Sequence, residues 1–322
     1  MRLPRLFYPE IFQGIKKNTN YFEGWYFKCA DEKADNVMAF IPGVSYGKGA
    51  SDSHAFIQVI DASRNRSGYF RFPVSDFRYA DDRLDLKIGE NHFSEDGLTL
   101  SLDDGTMSYR GNLHFSSPLH YPKSFWCPGI MGPFSFLPFM ECYHGIVHIN
   151  SSIYGSLAID SQECVFDNGT GYIEKDWGTS FPKNWIWVQC NHFTVPNMSF
   201  MLSYAQIPFP GRSFNGLISF LSMNDRIYKL TTYNGARVTF LDYEDNILTV
   251  LAENRRHALN LSVTVKPGSM LKAPKNGVMD NDIIESMTSE IDLSLIGKNG
   301  KLIYTGRGTV AGVEIAGTFA DI

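Results

Sequence analysis

The most chemically loaded stretch of the sequence is residues 171–191. There Gly171-Tyr172-Ile173-Glu174-Lys175-Asp176-Trp177-Gly178 runs into Ser180-Phe181-Pro182-Lys183-Asn184-Trp185-Ile186-Trp187-Val188-Gln189-Cys190-Asn191. Three tryptophans are interleaved with carboxylates, lysine and amide side chains. On an extended strand Trp185 and Trp187 project from one face. Aromatic faces stabilise positive charge through their quadrupole. A carboxyl group held against apolar walls has its neutral acid favoured by desolvation. That combination suits protonating an alkene and sheltering the carbocation that results. The plainer reading makes the tryptophans ordinary core or domain-interface residues, and Glu174, Lys175 and Asp176 a solvated turn.

A second cluster is Glu141-Cys142-Tyr143-His144, with His148 four residues on. On a regular strand His144, Ile146 and His148 share a face, which would set two imidazoles together. No third ligand beyond Glu141 is evident, so polar groups at a pocket mouth or on a sheet face are expected, and no metal. Two familiar motifs fail on context. Gly43-Val44-Ser45-Tyr46-Gly47 fits a nucleophile elbow, which needs a helix after the serine; a polar loop (48–53) and another strand follow, so a hairpin loop is expected. Gly306-Arg307-Gly308-Thr309-Val310-Ala311 fits a dinucleotide fingerprint, but only eleven residues remain after it, too few for the crossover helix and distal acid.

The elements that position these residues read as strands. Short alternating or continuous apolar runs bounded by Gly, Asn, Asp and Pro recur, among them 24–30, 37–42, 55–61, 185–190, 198–206, 217–222 and 310–316. Asn234-Gly235, Asp104-Gly105 and Lys298-Asn299-Gly300 supply turns between such runs. Helix-period segments are nearly absent. Residues 24–29 match 185–190 in pattern, 37–41 fall on 198–202, and 54–59 fall on 215–220, all at a spacing of 161 residues. Three matches in register indicate a duplicated unit. The expected architecture is all-β, with few or no helices. Two tandem lipocalin-like barrels or curled sheets, residues 1–180 and 181–322, would each be wide enough to hold one ligand.

Composition sets the outer bounds. The 322 residues carry 43% hydrophobic side chains, with 24 Phe, 16 Tyr and 5 Trp, which favours strands and apolar pockets. A net charge of −5 without a long basic run argues against nucleic acid as a partner. No stretch reaches the ~18 apolar residues of a membrane span, which leaves only transient membrane contact open. Residues 1–17 lack a signal-peptide core, and the five cysteines show no metal spacing. The expectation is a cytoplasmic protein with free thiols.

Glu174-Lys175-x-Trp177-Gly178 followed by Ser180-Phe181-Pro182 and Trp185-x-Trp187-Val188-Gln189-Cys190-Asn191 resembles the signature segment of the tocopherol cyclase-like family. Phe22-Glu23-Gly24-Trp25-Tyr26-Phe27-Lys28 is similar to its N-terminal motif. Ala252-Glu253-Asn254, Leu271-Lys272-Ala273-Pro274 and Val313-Glu314-Ile315 fall in the family's order. Glu141 and His144 do so too, with the family's histidine one residue closer to the glutamate. The resemblance implies a pair of lipocalin-like β domains, as in carotenoid hydratases. It also implies acid-initiated ring closure: an acid protonates a prenyl double bond beside a hydroquinone, and the phenol oxygen traps the tertiary cation. No cofactor is implied. The plant members close the chroman ring of vitamin E, carry plastid transit peptides, and have Asn where Asp176 stands.

On this reading the protein is a cyclase of the isomerase (intramolecular lyase) type, acting by cyclisation or hydration on a small apolar partner, a prenylated quinol or other isoprenoid. Asp176, Glu174 and Glu141 are the candidate acids and His144 the proton relay. Trp25, Tyr26, Trp177, Trp185 and Trp187 would wall the pocket, with Gln189 and Asn191 orienting phenol or water, at the junction of the halves. Lys28 and Lys175 have an alternative role, pairing with Glu23 and Glu174 as structural ties. A non-catalytic lipid or isoprenoid carrier is the alternative, and an aromatic docking module the third reading.

Overall fold

The computed structural model describes residues 5–209 and 211–318. Among them strands carry nearly all regular structure, and the helical turns are 3-10 segments of three to five residues. Turn chemistry explains much of the pattern. Asp160-Ser161, Asn224-Asp225, Asp245-Asn246 and Asn276-Gly277 all have positive φ at both positions and join consecutive strands, as tight two-residue hairpins require.

The chain divides into two compact units. The first holds the described residues up to Phe181 together with Leu271–Asp282; the second holds Pro182–Met270 and the described residues from Ile283 onward. In the first half of the chain the strands are β1 (Tyr21–Ala30), β2 (Val37–Tyr46), β3 (His54–Asp61), β4 (Arg66–Phe72), β5 (Phe77–Tyr79) and β6 (Asp85–Ile88). They continue as β7 (Asn91–Ser94), β8 (Gly97–Asp103), β9 (Ser108–His120), β10 (Cys142–Ile159), β11 (Gln162–Val165) and β12 (Gly169–Gly178). The later strands are β13 (Trp185–Cys190), β14 (His192–Phe193), β15 (Ser199–Phe209), β16 (Arg212–Met223), β17 (Arg226–Lys229) and β18 (Arg237–Glu244). The last five are β19 (Ile247–Glu253), β20 (His257–Thr264), β21 (Ser269–Lys275), β22 (Val278–Gly297) and β23 (Leu302–Ala316).

One sheet runs β4-β3-β2-β1-β12-β10-β9-β8-β7-β6-β5 and the other β17-β16-β15-β13-β23-β22-β20-β19-β18. The two orders follow one plan: a four-strand meander whose first strand pairs with the last long strand of its half. In the first unit, Phe27, Phe40 and Ile57 from one arm of the path meet Leu86, Phe93, Leu113 and Ile173 from the other in a single buried cluster. A sheet whose two ends share one core must curl around it. The second unit packs Ile186, Val188, Leu202, Leu217, Leu261 and Leu293 in the same manner. The fold is thus all-β with two tandem curled sheets.

The repeat is real in topology but not gapless. Phe27 pairs with Phe40 and Phe40 with Val59. The equivalent chain in the second unit is Val188, Leu202 and Ser219. Relative to the first strand, the second strand's match moves by one residue in one direction and the third's by one in the other. The loops differ in length, and the strict pleat alternation forces the register to follow the core.

Ser45 of the Gly-x-Ser-x-Gly motif lies within β2, fully buried, and its hydroxyl donates to the Gly277 carbonyl at 2.6 Å. It is committed to structure rather than exposed on an elbow. The Gly306–Ala311 motif lies within β23. All five cysteines are free thiols. No helix among the described residues is long and apolar enough to cross a membrane.

Candidate active site

Three neighbouring strands of the first unit hold the densest group of candidate residues. Pleat alternation along β12 sends Tyr172, Glu174 and Asp176 to one face and Ile173, Lys175 and Trp177 to the other. On the first face, β10 sets His144 opposite Asp176, and β1 sets Tyr26 opposite Glu174 and Lys28 opposite Tyr172. The register therefore assembles Asp176, Glu174 and His144 without any loop.

His144 is held between two carboxylates. Its Nδ1 lies 2.9 Å from Asp176 Oδ1, and its Nε2 lies 3.4 Å from Glu174 Oε2. Tyr172 donates its hydroxyl to Glu174 Oε2 at 2.5 Å, and Cys142 points its thiol at Asp176 Oδ1 at 3.7 Å. Burial works to lower the basicity of His144, but the charges and hydrogen bonds of Asp176 and Glu174 outweigh it and hold the imidazole well above its ordinary pKa. Burial, reinforced by the neighbouring carboxylates, pushes the Tyr172 hydroxyl and the Cys142 thiol well up, so both stay protonated donors. The result is one imidazolium bracketed by two carboxylates, with Asp176 the most exposed of the three side chains at 26%, against 12% for His144 and 6% for Glu174.

The opposite face of β1 and β12 is built differently. Lys175 and Glu23 form an ion pair in which both side chains are fully buried. The Lys175 ammonium sits 4.6 Å from the Trp25 ring centroid and 4.7 Å from that of Trp177, and donates to the Ile11 carbonyl at 2.5 Å. Glu23 accepts from the Tyr21 hydroxyl and from the backbone N–H groups of Gln13 and Gly14. Trp25 donates its indole N–H to the Glu10 carbonyl at 2.8 Å. Every charge here has partners, and together they tie residues 10–14 to the sheet. Trp25 and Trp177 are thus on the face away from Asp176 and Glu174, and Lys175 pairs with Glu23.

The remaining sequence candidates belong to other segments of the chain. Glu141 precedes β10 with its side chain exposed, while its carbonyl accepts from Thr179 N at 2.8 Å. Gly178 closes that corner: its φ is +151°, and a Cβ there would fall 2.1 Å from the Glu141 carbonyl oxygen. Trp185, Trp187 and Gln189 share the face of β13 away from the core of the second unit, all buried. Trp185 donates its indole N–H to Glu314 Oε2 at 2.7 Å, and Gln189 donates to Asn191. Glu314 faces Trp187 across β23 as Glu174 faces Tyr26 across β12, so the repeat places a carboxylate beside an aromatic ring in both units. Sequence reasoning missed Tyr172 and Cys142 as donors and Glu314 as a partner of Trp185. Tyr172 carries a usable signal, because two residues of spacing on a strand set it beside Glu174.

The expected pairing of His144 with His148 is overturned. The β10–β12 register shifts between Ile146 and His148, a β-bulge that breaks the alternation and sends the two histidines into separate groups.

The profile of the tocopherol cyclase-like family matches residues 121–317. A protein of Oryza sativa subsp. japonica described as "Probable tocopherol cyclase, chloroplastic" is 26% identical over 194 residues, 56% of this chain and 40% of the rice protein. The chloroplastic tocopherol cyclase of Zea mays is 38% identical over 56 residues, 17% of this chain and 12% of the maize protein. The matched stretches therefore span well under two thirds of both relatives. Among solved structures, CghA with bound Sch210972 superposes with a TM-score of 0.56 at 12% identity, covering 92% of this chain and 88% of that one. An AttH-type protein from Nitrosomonas europaea gives 0.51 at 12% identity, covering 91% and 92%. These two support the fold. With 121–317 enclosing His144, Glu174, Asp176 and the Trp185–Trp187 strand, the chain belongs to the tocopherol cyclase-like family.

Proposed function

We propose that this protein is a cyclase or hydratase acting by acid-initiated addition to an alkene of a prenylated quinol or related isoprenoid, with the His144–Glu174–Asp176 group supplying the proton. The observation that carries the reading is the buried imidazole bracketed by two carboxylates, which stores a proton next to a partly exposed carboxylate able to relay it. Asp176, the most exposed of the three, passes on to the substrate the proton that His144 holds. Protonation of the alkene leaves a tertiary cation, and the phenol oxygen closes the ring by forming the C–O bond. The phenolic proton then returns through the Asp176 carboxylate to His144, so the cycle consumes no proton and no electrons. Water in place of the phenol gives hydration by the same steps. Tyr26, on the same face, offers a ring to the developing cation.

The test is incubation with a prenylated hydroquinone and chromatographic detection of the chroman. Wild type should turn over, with Asp176→Asn and His144→Gln slower by at least about 100-fold, the usual scale of general acid catalysis. If wild type binds the quinol but forms no chroman or hydrated product, the carrier reading replaces this one. If Asp176→Asn alone keeps full activity, Asp176 is not the donor.

A further inference from the structure

A second cluster of ligating side chains lies in the first unit. Glu95 occupies the turn between β7 and β8, His120 ends β9, and His148 lies opposite His120 in the β9–β10 register. One ligand atom from each residue lies within 4.8 Å of the other two. His148 is completely buried, yet neither of its ring nitrogens makes a hydrogen bond among the described residues. Its Nε2 faces Glu95 Oε2 at 3.6 Å. A buried imidazole left in this state is costly, and an aliphatic side chain would fill a strand position without that cost.

The surroundings prepare these groups for a cation. His120 Nδ1 lies 3.1 Å from the Val147 carbonyl, which takes its N–H and leaves Nε2 as the lone-pair donor. The two imidazoles meet edge to face, with centroids 5.1 Å apart. The ladder shifts register on both sides of His148, against β12 and against β9, and bulges of this kind re-aim side chains next to functional sites.

We propose that Glu95, His120 and His148 form a binding site for a first-row divalent metal ion, zinc being the best match, separate from the His144–Glu174–Asp176 group. Two imidazoles and a carboxylate are zinc's ordinary donors, at bond lengths of about 2.0–2.2 Å. Tetrahedral geometry then needs ligand atoms about 3.4 Å apart. The half-buried Glu95 and exposed His120 can rotate to close that gap around the fixed His148. Three protein ligands leave the fourth position to water or a small anionic solute on the solvent side, where His120 is exposed. Glu95 and His120 both precede the 121–317 stretch shared with the family, so the site is a property of this chain rather than of the matched segment.

The test uses the full, untagged chain, stripped with a chelator and titrated with Zn²⁺ by calorimetry. One equivalent should bind with a Kd of about 1 μM or tighter. Glu95→Gln and His120→Ala, which alter partly exposed side chains, should each weaken binding at least about tenfold while circular dichroism stays unchanged. Co²⁺ in place of zinc should give visible d–d bands that both variants lose. Asp176→Asn should bind as wild type does. No binding below about 100 μM Zn²⁺ would overturn the proposal, as would unchanged affinity in both variants. Loss of binding in Asp176→Asn would assign the ion to the other cluster and equally refute it.

Discussion

Glu23→Gln removes one negative charge from the interior of the first unit and little volume. In the native protein that carboxylate faces the Lys175 ammonium and accepts from Tyr21, Gln13 and Gly14, with both charged side chains wholly buried. The substitution strips its counter-charge from Lys175, whose basicity burial already lowers, and breaking a buried pair typically costs about 3–5 kcal/mol. The rings of Trp25 and Trp177, each under 5 Å from the ammonium, and the Ile11 carbonyl remain, so the expected cost lies near the low end, about 3 kcal/mol. For a unit of this size that lowers the calorimetric midpoint by about 6–12 °C. Lys175→Met should cost less, about 1–3 kcal/mol, because Glu23 keeps its other donors. The double variant should be milder than the sum of the singles by about 1–3 kcal/mol. Scanning calorimetry or urea unfolding of the four proteins completes the cycle. A loss under about 1 kcal/mol for Glu23→Gln, or strict additivity, would refute the pair as a buried, coupled anchor. Below its transition Glu23→Gln should retain wild-type turnover, since Glu23 is on the face away from Asp176. The N-terminal Glu-Gly-Trp motif would then be read as a device for folding rather than for catalysis.

Two further outcomes are expected. The His144 pKa is raised in the folded state, so its stabilising contribution is whole below the unfolded value near about pH 6.5 and is lost as pH rises through the elevated native value. Unfolding free energies measured from pH 6 upward should show this decline in wild type and not in His144→Gln; parallel profiles would contradict the imidazolium. Gly178→Ala should destabilise by at least about 2 kcal/mol, because the φ of +151° and the Glu141 carbonyl 2.1 Å from the new Cβ leave no relaxed placement. A midpoint within about 1 °C of wild type would overturn that account.

Much of the candidate site's arrangement is legible in the sequence because strands obey a simple rule. Glu174 and Asp176 share a face by parity alone, and Trp185 and Trp187 do likewise. The all-β fold and its tandem plan follow from the same alternation and from turn residues that accept positive φ. What parity cannot show is which strand lies beside which. Trp25 and Trp177 resemble pocket walls in the sequence, yet the β1–β12 register sets them around Lys175 on the other face. Nor does parity survive a bulge: one extra residue between Ile146 and His148 divides two histidines that the spacing alone would unite. Long-range partners such as Glu314 for Trp185, 129 positions away, leave no local trace.

The hairpin contributed by Leu271–Asp282 bears on how the chain is made. Its Gly277 carbonyl takes the Ser45 hydroxyl across 232 positions, its Lys272 exchanges two hydrogen bonds with the Gln58 amide, and its Gly277 N–H caps the Thr179 carbonyl. Ribosomal synthesis proceeds from the N-terminus, so β1 to β12 emerge long before these partners exist. The first unit therefore waits, with the Gln58 amide and Ser45 hydroxyl unsatisfied, until residues 271–282 have been delivered. Contacts of such long sequence separation form late and slowly. An early stop codon anywhere before residue 282 would thus injure the first unit as well as the second, making the Leu271–Asp282 hairpin a checkpoint for the unit that carries His144, Glu174 and Asp176.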